Sequence, residues 1–263
     1  MFKRELRYNF KSFVIWTLIL IVLFALVFLL YSSFIASENI DNINELMKVF
    51  PEEVLKMFNL DITHIDTAFG WMETEGFIFI LLITGVYSAL LGCGILTKEE
   101  DEKTIEYLNS LPIKRNYIVL SKILCGLFYV VMMIVILGIS NYIFLSLVES
   151  FDKKVFVLLS ITPILSNIVI FSFSLFISTF TNKTRKVLPI SLGFVFISYF
   201  LLVVSEMSDK IKFLKYFSVY TLADTRGIIL NSSIKIIYII LSLLITLVLL
   251  ILSLTRYKYK DLV

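Results

Sequence analysis

Few side chains of this sequence could carry out chemistry, and their spacing argues against a catalytic centre. His64 is the only histidine, and Asp61 and Asp66 are the acids beside it, so their loop offers a weak set of metal ligands. Cys93 and Cys125 fall within or near apolar runs, which favours two buried thiols over a disulfide framework. The sequence has no His-Glu-x-x-His pattern and no acid in the middle of an apolar run. A membrane enzyme would need such groups, so we predict no catalytic residue and no metal site.

The polar side chains inside the apolar runs are hydroxyls and amides. Such groups can line a path for a transported molecule, or they can help helices to pack closely. Both interpretations stay open for the six that we single out: Thr84, Ser88, Ser140, Asn141, Ser166 and Asn167. The small-residue spacing Ser88-x-x-x-Gly92 is typical of helix packing. Pro163 and Pro189 are expected to kink the two helices that contain them.

The elements that must position these residues follow from the composition. Of the 263 residues, 59% are hydrophobic and only 17% are charged. Soluble domains average roughly 45–50% apolar and about 25% charged residues, so a soluble enzyme or a disordered chain is excluded. Long apolar runs also argue against an outer-membrane barrel, whose strands alternate. We predict an all-α polytopic membrane protein.

Six apolar runs reach or approach the roughly 20 residues that a helix needs to cross the hydrocarbon core. They cover residues 13–36, 76–97, 117–148, 155–180, 187–205 and 234–255, within one transmembrane domain over residues 1–263. Only Lys122 interrupts the third run, close to its start. We expect the Lys122 ammonium to snorkel to the membrane surface.

The distribution of basic residues predicts the topology, because Lys and Arg concentrate in cytoplasmic segments. With both termini inside, the inner segments hold 15 of the 24 basic residues. These are Lys3, Arg4, Arg7, Lys11, Lys98, Lys103, Lys114, Arg115, Lys122, Lys183, Arg185, Lys186, Arg256, Lys258 and Lys260. Since this bias accounts for the basic excess, no basic face remains for a nucleic acid partner.

Two segments outside the runs have amphipathic patterns. Phe2, Leu6 and Phe10 recur every four residues among basic side chains, which predicts an interfacial N-terminal helix that feeds the first span. The outer loop 37–75 is the longest polar stretch and predicts two short amphipathic helices separated at Pro51.

Loop 98–116 has the most specific pattern. Its acidic run Glu99–Glu102 precedes a short helical segment with an apolar face, and Pro112 then stops the helix. Acids before a helix and bases after it suit the helix dipole, so we predict a helix parallel to the membrane. Its apolar side chains are either a docking surface, with Ile105, Tyr107 and Leu108 exposed, or part of a stable turn.

The stretch from Glu100 to Arg115 resembles the loop between spans two and three of ABC-2 type permeases. That pattern is roughly acid-x-acid-G-T-x-acid-x-L-x-x-x-P-[IV]-x-R. The matching positions are Glu100, Glu102, Thr104, Glu106, Leu108, Pro112, Ile113 and Arg115. Lys103 departs from it, since glycine is common there. The basic N-terminal helix, six spans, inner termini and a structured segment at 206–233 also fit this family over nearly the full chain.

The resemblance implies a permease subunit of an ABC exporter and no enzyme activity. ATP and Mg²⁺ would bind a separate ATPase subunit, and this chain would need no cofactor; it lacks G-x-x-x-x-G-K-[ST]. Two permeases, as a homodimer or heterodimer, would join two ATPases in the plasma membrane of a bacterium. The coupling helix at 100–111 would dock on the ATPase with help from the N-terminal helix and Thr181–Lys186. Its docking residues would be Glu100, Glu102, Thr104, Ile105, Glu106, Tyr107, Leu108, Leu111, Pro112 and Arg115.

A pathway lined by apolar side chains and a few hydroxyls suits an amphipathic or hydrophobic cargo, which the exporter would move out of the cell. A peptide toxin or bacteriocin, a drug and a lipid-like molecule all fit, and within the family such exporters often serve peptide secretion and resistance. The alternatives are a sensor or scaffold subunit that does not transport and, less in keeping with the residues, a membrane enzyme.

Overall fold

The computed structural model describes residues 1–35, 68–72, 76–105, 115–148 and 150–260. Over these ranges the chain forms α-helices and two 3-10 helices, over Asp209–Phe217 and Val219–Ala223, without a strand. The α-helices are α1 (Phe2–Ile35), α2 (Ala68–Trp71), α3 (Phe77–Asp101), α4 (Arg115–Val148), α5 (Lys153–Ile161), α6 (Pro163–Ser178), α7 (Thr184–Met207), α8 (Thr225–Asn231) and α9 (Ile236–Lys258).

Six helical segments of the described ranges are long and apolar enough to cross a membrane. They are α1, α3, α4, the pair α5 and α6, α7, and α9, in the order of the six apolar runs. The predicted all-α polytopic class is therefore confirmed. The two predicted helices around Pro51, and His64, lie outside the described residues.

Helix α6 is the centre of the bundle and packs against α3, α4, α7 and α9. Small residues allow this close approach. A Cβ atom built on Gly92 of α3 would lie 2.5 Å from the Phe171 carbonyl oxygen and 2.8 Å from Ser174 Cβ of α6. Gly126 of α4 likewise leaves room for the Phe171 ring. Gly92 of the Ser88-x-x-x-Gly92 spacing thus lies in a close helix contact.

The fourth span is interrupted at Thr162, directly before Pro163. Proline lacks an amide hydrogen and starts helices well, so α5 ends and α6 begins there. At Pro163, where we predicted a kink, the helix is interrupted. Helix α7, by contrast, continues through Pro189 without a break.

The predicted N-terminal helix is continuous with the first span. Helix α1 runs from Phe2 to Ile35 as one 34-residue helix, about 50 Å long at 1.5 Å per residue. Its buried side near the N-terminus holds Glu5 and Phe13, whereas Phe10 is 58% exposed. The continuous helix forms because Glu5 finds buried partners on α3 and α4, which are described below.

The bundle has two ends. One end carries Glu5, the end of α3, the start of α7 and Lys260, and we name it the terminal end because both chain termini lie there. The opposite end carries the segment between α7 and α9, and we name it the distal end. That segment, expected to be structured, contains both 3-10 helices and α8. Asp224 caps α8, because its carboxylate accepts a hydrogen bond from the Gly227 amide at 3.1 Å.

Candidate functional site

A buried cluster of charged side chains joins α1, α3 and α4 at the terminal end. The Lys122 ammonium is fully buried and donates hydrogen bonds to Glu99 Oε1 at 2.6 Å and to the Ile95 carbonyl at 2.7 Å. It also lies 3.4 Å from Glu5 Oε1, and Lys98 Nζ lies 2.6 Å from Glu5 Oε2. Two lysines therefore balance two glutamates. We name Glu5, Lys98, Glu99 and Lys122 the core ion cluster.

This arrangement corrects our expectation that Lys122 snorkels to the membrane surface. A lysine reaches for water only when no anion is available at its own depth. Here Glu5 and Glu99 approach it from two other helices, so the ammonium points into the bundle. A buried charge is tolerated when it is paired and hydrogen-bonded.

A second buried ion pair links the end of α3 to the segment after α9. Lys260 Nζ lies 2.9 Å from the Glu100 carboxylate and donates to the Thr181 carbonyl at 2.7 Å. Burial lowers the pKa of Lys260, and the hydrogen bond to Glu100 opposes that effect. Arg115 at the start of α4 donates to the Lys260 carbonyl at 3.3 Å. This contact network joins the ends of four helices.

The acidic run belongs to the end of the second span. Glu99, Glu100 and Asp101 form the last turn of α3. The helix dipole disfavours acids at that position, and lysines from other segments compensate for Glu99 and Glu100. Asp101 finds a favourable partner, because its carboxylate accepts a hydrogen bond from the Thr184 amide at the start of α7.

Two further contacts tie the loop to its neighbours. The Thr97 and Thr184 hydroxyls lie 2.6 Å apart. The Tyr8 hydroxyl of α1 donates to Glu102, and the Tyr8 ring lies 3.9 Å from Lys98 Nζ. The start of loop 98–116 is thereby connected to both the N-terminal turns and the start of α7.

The predicted docking residues have different surroundings. Thr104 and Glu102 are exposed, and Arg115 lies at the exposed start of α4. Glu100 is buried in its ion pair, and Ile105 is only 3% exposed. Ile105 is thus not exposed in this chain, unlike in the docking-surface alternative, and its role in docking stays a prediction. The other members, Glu106, Tyr107, Leu108, Leu111 and Pro112, lie outside the described residues.

The candidate pathway residues are largely buried between helices. Asn167 of α6 donates to the Thr84 hydroxyl of α3 at 2.8 Å, whereas Ser88 and Ser166 donate to carbonyls of their own helices. Ser140 is half-buried and donates to the Leu137 carbonyl at 2.9 Å. Asn141 is fully buried, and its amide has no hydrogen-bond partner among the described residues. Pathway lining stays a prediction, and in a single chain these groups lie in helix contacts.

Sequence reasoning missed the core ion cluster, although a signal was present. Lys122 stands inside an apolar run, and ionisable groups within spans usually have a partner. Glu5 is the one acid among the four bases of the first eleven residues. Matching that lysine to acids at the ends of neighbouring runs would have predicted a buried pair.

No group of three or more His, Cys, Asp or Glu that could hold a metal occurs in the ranges that the structure describes. Cys93 and Cys125 are both buried and free, which fits the predicted pair of buried thiols. The buried polar groups of the terminal end are mainly ion pairs between helices, which hold those helices together.

The family model described as ABC-2 family transporter protein matches residues 2–262. The chain belongs to the ABC-2 transporter family. No curated protein and no solved structure is significantly similar to it. Membership confirms the resemblance found in loop 98–116 and makes the chain a multi-pass membrane component of an ABC transporter. The buried ion pairs of this ABC-2 permease thus lie at the same end as its family motif.

Proposed function

We propose that this chain is the permease subunit of an ATP-driven exporter, powered by a separate ATPase subunit that docks at the terminal end. One observation carries the proposal beyond family membership. Ion pairs and hydrogen bonds connect the three segments that we expect to face the ATPase, namely the N-terminal turns, the start of loop 98–116 and Thr181–Thr184.

This connection supports a mechanical role for the terminal end. When ATP closes a pair of ATPases, they would displace the loop that carries Glu102. Its contacts with Tyr8 would pass that displacement to α1, and the Asp101 contact with Thr184 would pass it to α7. The core ion cluster would make α3 and α4 move together. The bundle would then rock as connected helices.

The proposed assembly contains two permeases and two ATPases. Each ATPase would bind ATP and Mg²⁺, and the permease would bind no cofactor. The permeases would form a homodimer or a heterodimer in the bacterial plasma membrane. Helices α7 and α9 support this arrangement, because most of their surface is open to lipid or to a second subunit in the single chain.

We propose an amphipathic or hydrophobic cargo, such as a peptide toxin, a drug or a lipid-like molecule. The polar groups near α3 and α6 are hydroxyls and amides, for example Thr84 and Asn167, which can satisfy a few polar groups of such a molecule. The charged groups Lys122 and Glu99 are already paired near the terminal end. This distribution favours a weakly polar path over an ion-coupled carrier.

Purified permease and ATPase in proteoliposomes provide the test of transport. We expect ATP-dependent accumulation of a fluorescent amphipathic peptide in vesicles whose ATPases face outward. A variant ATPase that binds but does not hydrolyse ATP is the control. Peptide movement that is equal with and without hydrolysis would contradict an ATP-driven exporter.

Docking of the ATPase is tested by one substitution in the loop. Leu108→Asp should reduce co-purification of the ATPase with tagged permease by at least about tenfold, because it places a charge in a predicted apolar contact. Lys153→Asp is the control, since Lys153 is exposed at the distal end. Co-purification that is equal for both variants would contradict the proposed docking site.

The proposed topology places both termini in the cytoplasm. After Cys93 and Cys125 are replaced by Ala, a cysteine at Lys153 should react with an impermeant maleimide in intact cells. A cysteine at Lys103 or Lys258 should react only after the cells are opened. All three original side chains are exposed, at opposite ends of the bundle. Labelling of Lys103→Cys in intact cells would contradict the topology.

A further inference from the structure

The distal end contains a cavity of about 680 Å³ that the proposed function does not use. It lies between the end of α7, the first turns of α3, the segment 208–231 and the start of α9. Ligand sites for small molecules occupy roughly 300–1,000 Å³, so its volume suits a bound headgroup or a comparable ligand. Its lining divides into a charged part and an apolar part.

The charged part carries more basic than acidic side chains. Four basic and two acidic residues line it: Lys212, Lys215, Arg226, Lys235, Glu206 and Asp224. Both acids are already in ion pairs, with Glu206 Oε2 lying 2.5 Å from Arg226 and Asp224 Oδ2 lying 2.9 Å from Lys235. The hydrogen bond to Asp224 raises the pKa of Lys235, which keeps its ammonium charged. A ligand therefore meets a positive field.

Lys215 is the basic residue best placed for a ligand. Its side chain is half-buried on the cavity wall. Its carbonyl accepts hydrogen bonds from the Thr221 hydroxyl and from the Ser218 amide, the latter at 3.0 Å. Lys215 lies in the first 3-10 helix, and these bonds tie its backbone to the start of the second, so less ordering is needed when an anion binds.

The apolar part of the lining suits a hydrocarbon chain. It comes from α3, α7, α8 and α9 and comprises Ile78, Leu81, Leu202, Val203, Leu230 and Tyr238. Helix α7 packs mainly on α3, and α9 packs mainly on α6. Both flanking helices leave most of their surface open. A chain leaving the cavity can therefore follow the apolar side of either helix.

Exposed aromatic residues next to the cavity indicate where its ligand comes from. Tyr216 is 72% exposed and Phe217 is 71% exposed, and both follow Lys215 directly. Phe213 is 57% exposed in the same 3-10 helix. Tyrosine side chains such as Tyr216 are enriched at the boundary between membrane and water, and the exposed Phe213 and Phe217 beside it suit the apolar side of that boundary. A ligand at that depth enters from the lipid bilayer.

We propose that this cavity binds the anionic phosphate headgroup of a membrane phospholipid, with Lys215 facing the phosphate and an acyl chain along α7 or α9. The site is separate from the ATPase-docking end. Its occupancy does not depend on ATP, on cargo or on the proposed export function.

The full-length protein in lipid nanodiscs provides the test. Photoactivatable phosphatidylglycerol and phosphatidylcholine with identical acyl chains are compared in discs of otherwise neutral lipid. We expect peptides from residues 199–238 to be labelled several-fold more by phosphatidylglycerol. Lys215→Gln should reduce this labelling about fivefold, the factor that one basic side chain contributes at an anionic surface.

Lys153→Gln is the matched control, because Lys153 is an exposed lysine at the same end but outside the cavity. It should leave labelling unchanged. Melting temperatures of both variants exclude unfolding as the cause, and Lys215→Arg should retain the labelling if Lys215→Gln proves unstable. Equal labelling by both lipids, or labelling that Lys215→Gln leaves unchanged, would overturn the proposal. Full competition by millimolar inorganic phosphate would overturn the lipid source and assign the site to free phosphate.

Discussion

Replacing Lys122 by Met is expected to destabilise the protein by about 3–5 kcal/mol, because Glu99 is left buried without its cation. Lys122 is buried from both water and lipid, and its two carboxylate partners come from α1 and α3. For a chain of this length the loss corresponds to a melting temperature lower by about 10 °C. Thermal unfolding followed by size-exclusion chromatography in detergent measures it.

Two further variants separate the buried charge from the loss of a side chain. Lys122→Met with Glu99→Gln should recover part of the stability, since the remaining acid Glu5 still pairs with Lys98 at 2.6 Å. Lys153→Met should change the melting temperature little, because Lys153 is exposed. If Lys122→Met melts like the parent protein, the core ion cluster does not stabilise the bundle.

Gly92→Ala is expected to cost about 1–3 kcal/mol, the usual range for overpacking a tight contact. The new Cβ would lie 2.5 Å from the Phe171 carbonyl oxygen, and a backbone atom cannot move away as a flexible side chain can. Helices α3 and α6 would have to separate. Because α6 is the centre of the bundle, the melting temperature should fall and any transport activity should fall with it.

Gly94→Ala is the matched control, because it makes the same substitution in the same helix. A Cβ atom at Gly94 would meet nothing within 4 Å. Alanine favours a helix over glycine by up to about 1 kcal/mol, so this variant should melt at the parent temperature or slightly above it. Equal destabilisation by the two substitutions would contradict the α3–α6 contact as the cause, because helix propensity alone would stabilise both variants.

The number and order of the spans could be predicted because apolar length alone determines them. Their ends could not. The second apolar run stops at residue 97, yet α3 continues to Asp101. A hydropathy pattern ends at the first charges, whereas a helix continues when those charges find partners. The partner of Glu99 is Lys122, 23 residues further along the chain, and the partner of Glu100 is Lys260, 160 residues further along.

The candidate site shows the same limit. The loop motif predicted the family correctly, because its spacing is local in sequence. The surroundings of Ile105 and Glu100 depend on segments far away in the chain, so their burial could not be read from the motif. A single sequence also contains no signal for the distal cavity, whose lining comes from three helices and the segment between α7 and α9.

The position of Lys260 has a consequence for biosynthesis. Glu100 belongs to the second span, but its cation follows the sixth, so the pair at 2.9 Å forms only when every span has been made. Until then the ribosome-bound chain carries an acid at the end of α3 without its cation. This part of the terminal end therefore forms last, after the core ion cluster, and a chain cut short before Lys260 would leave Glu100 without its cation.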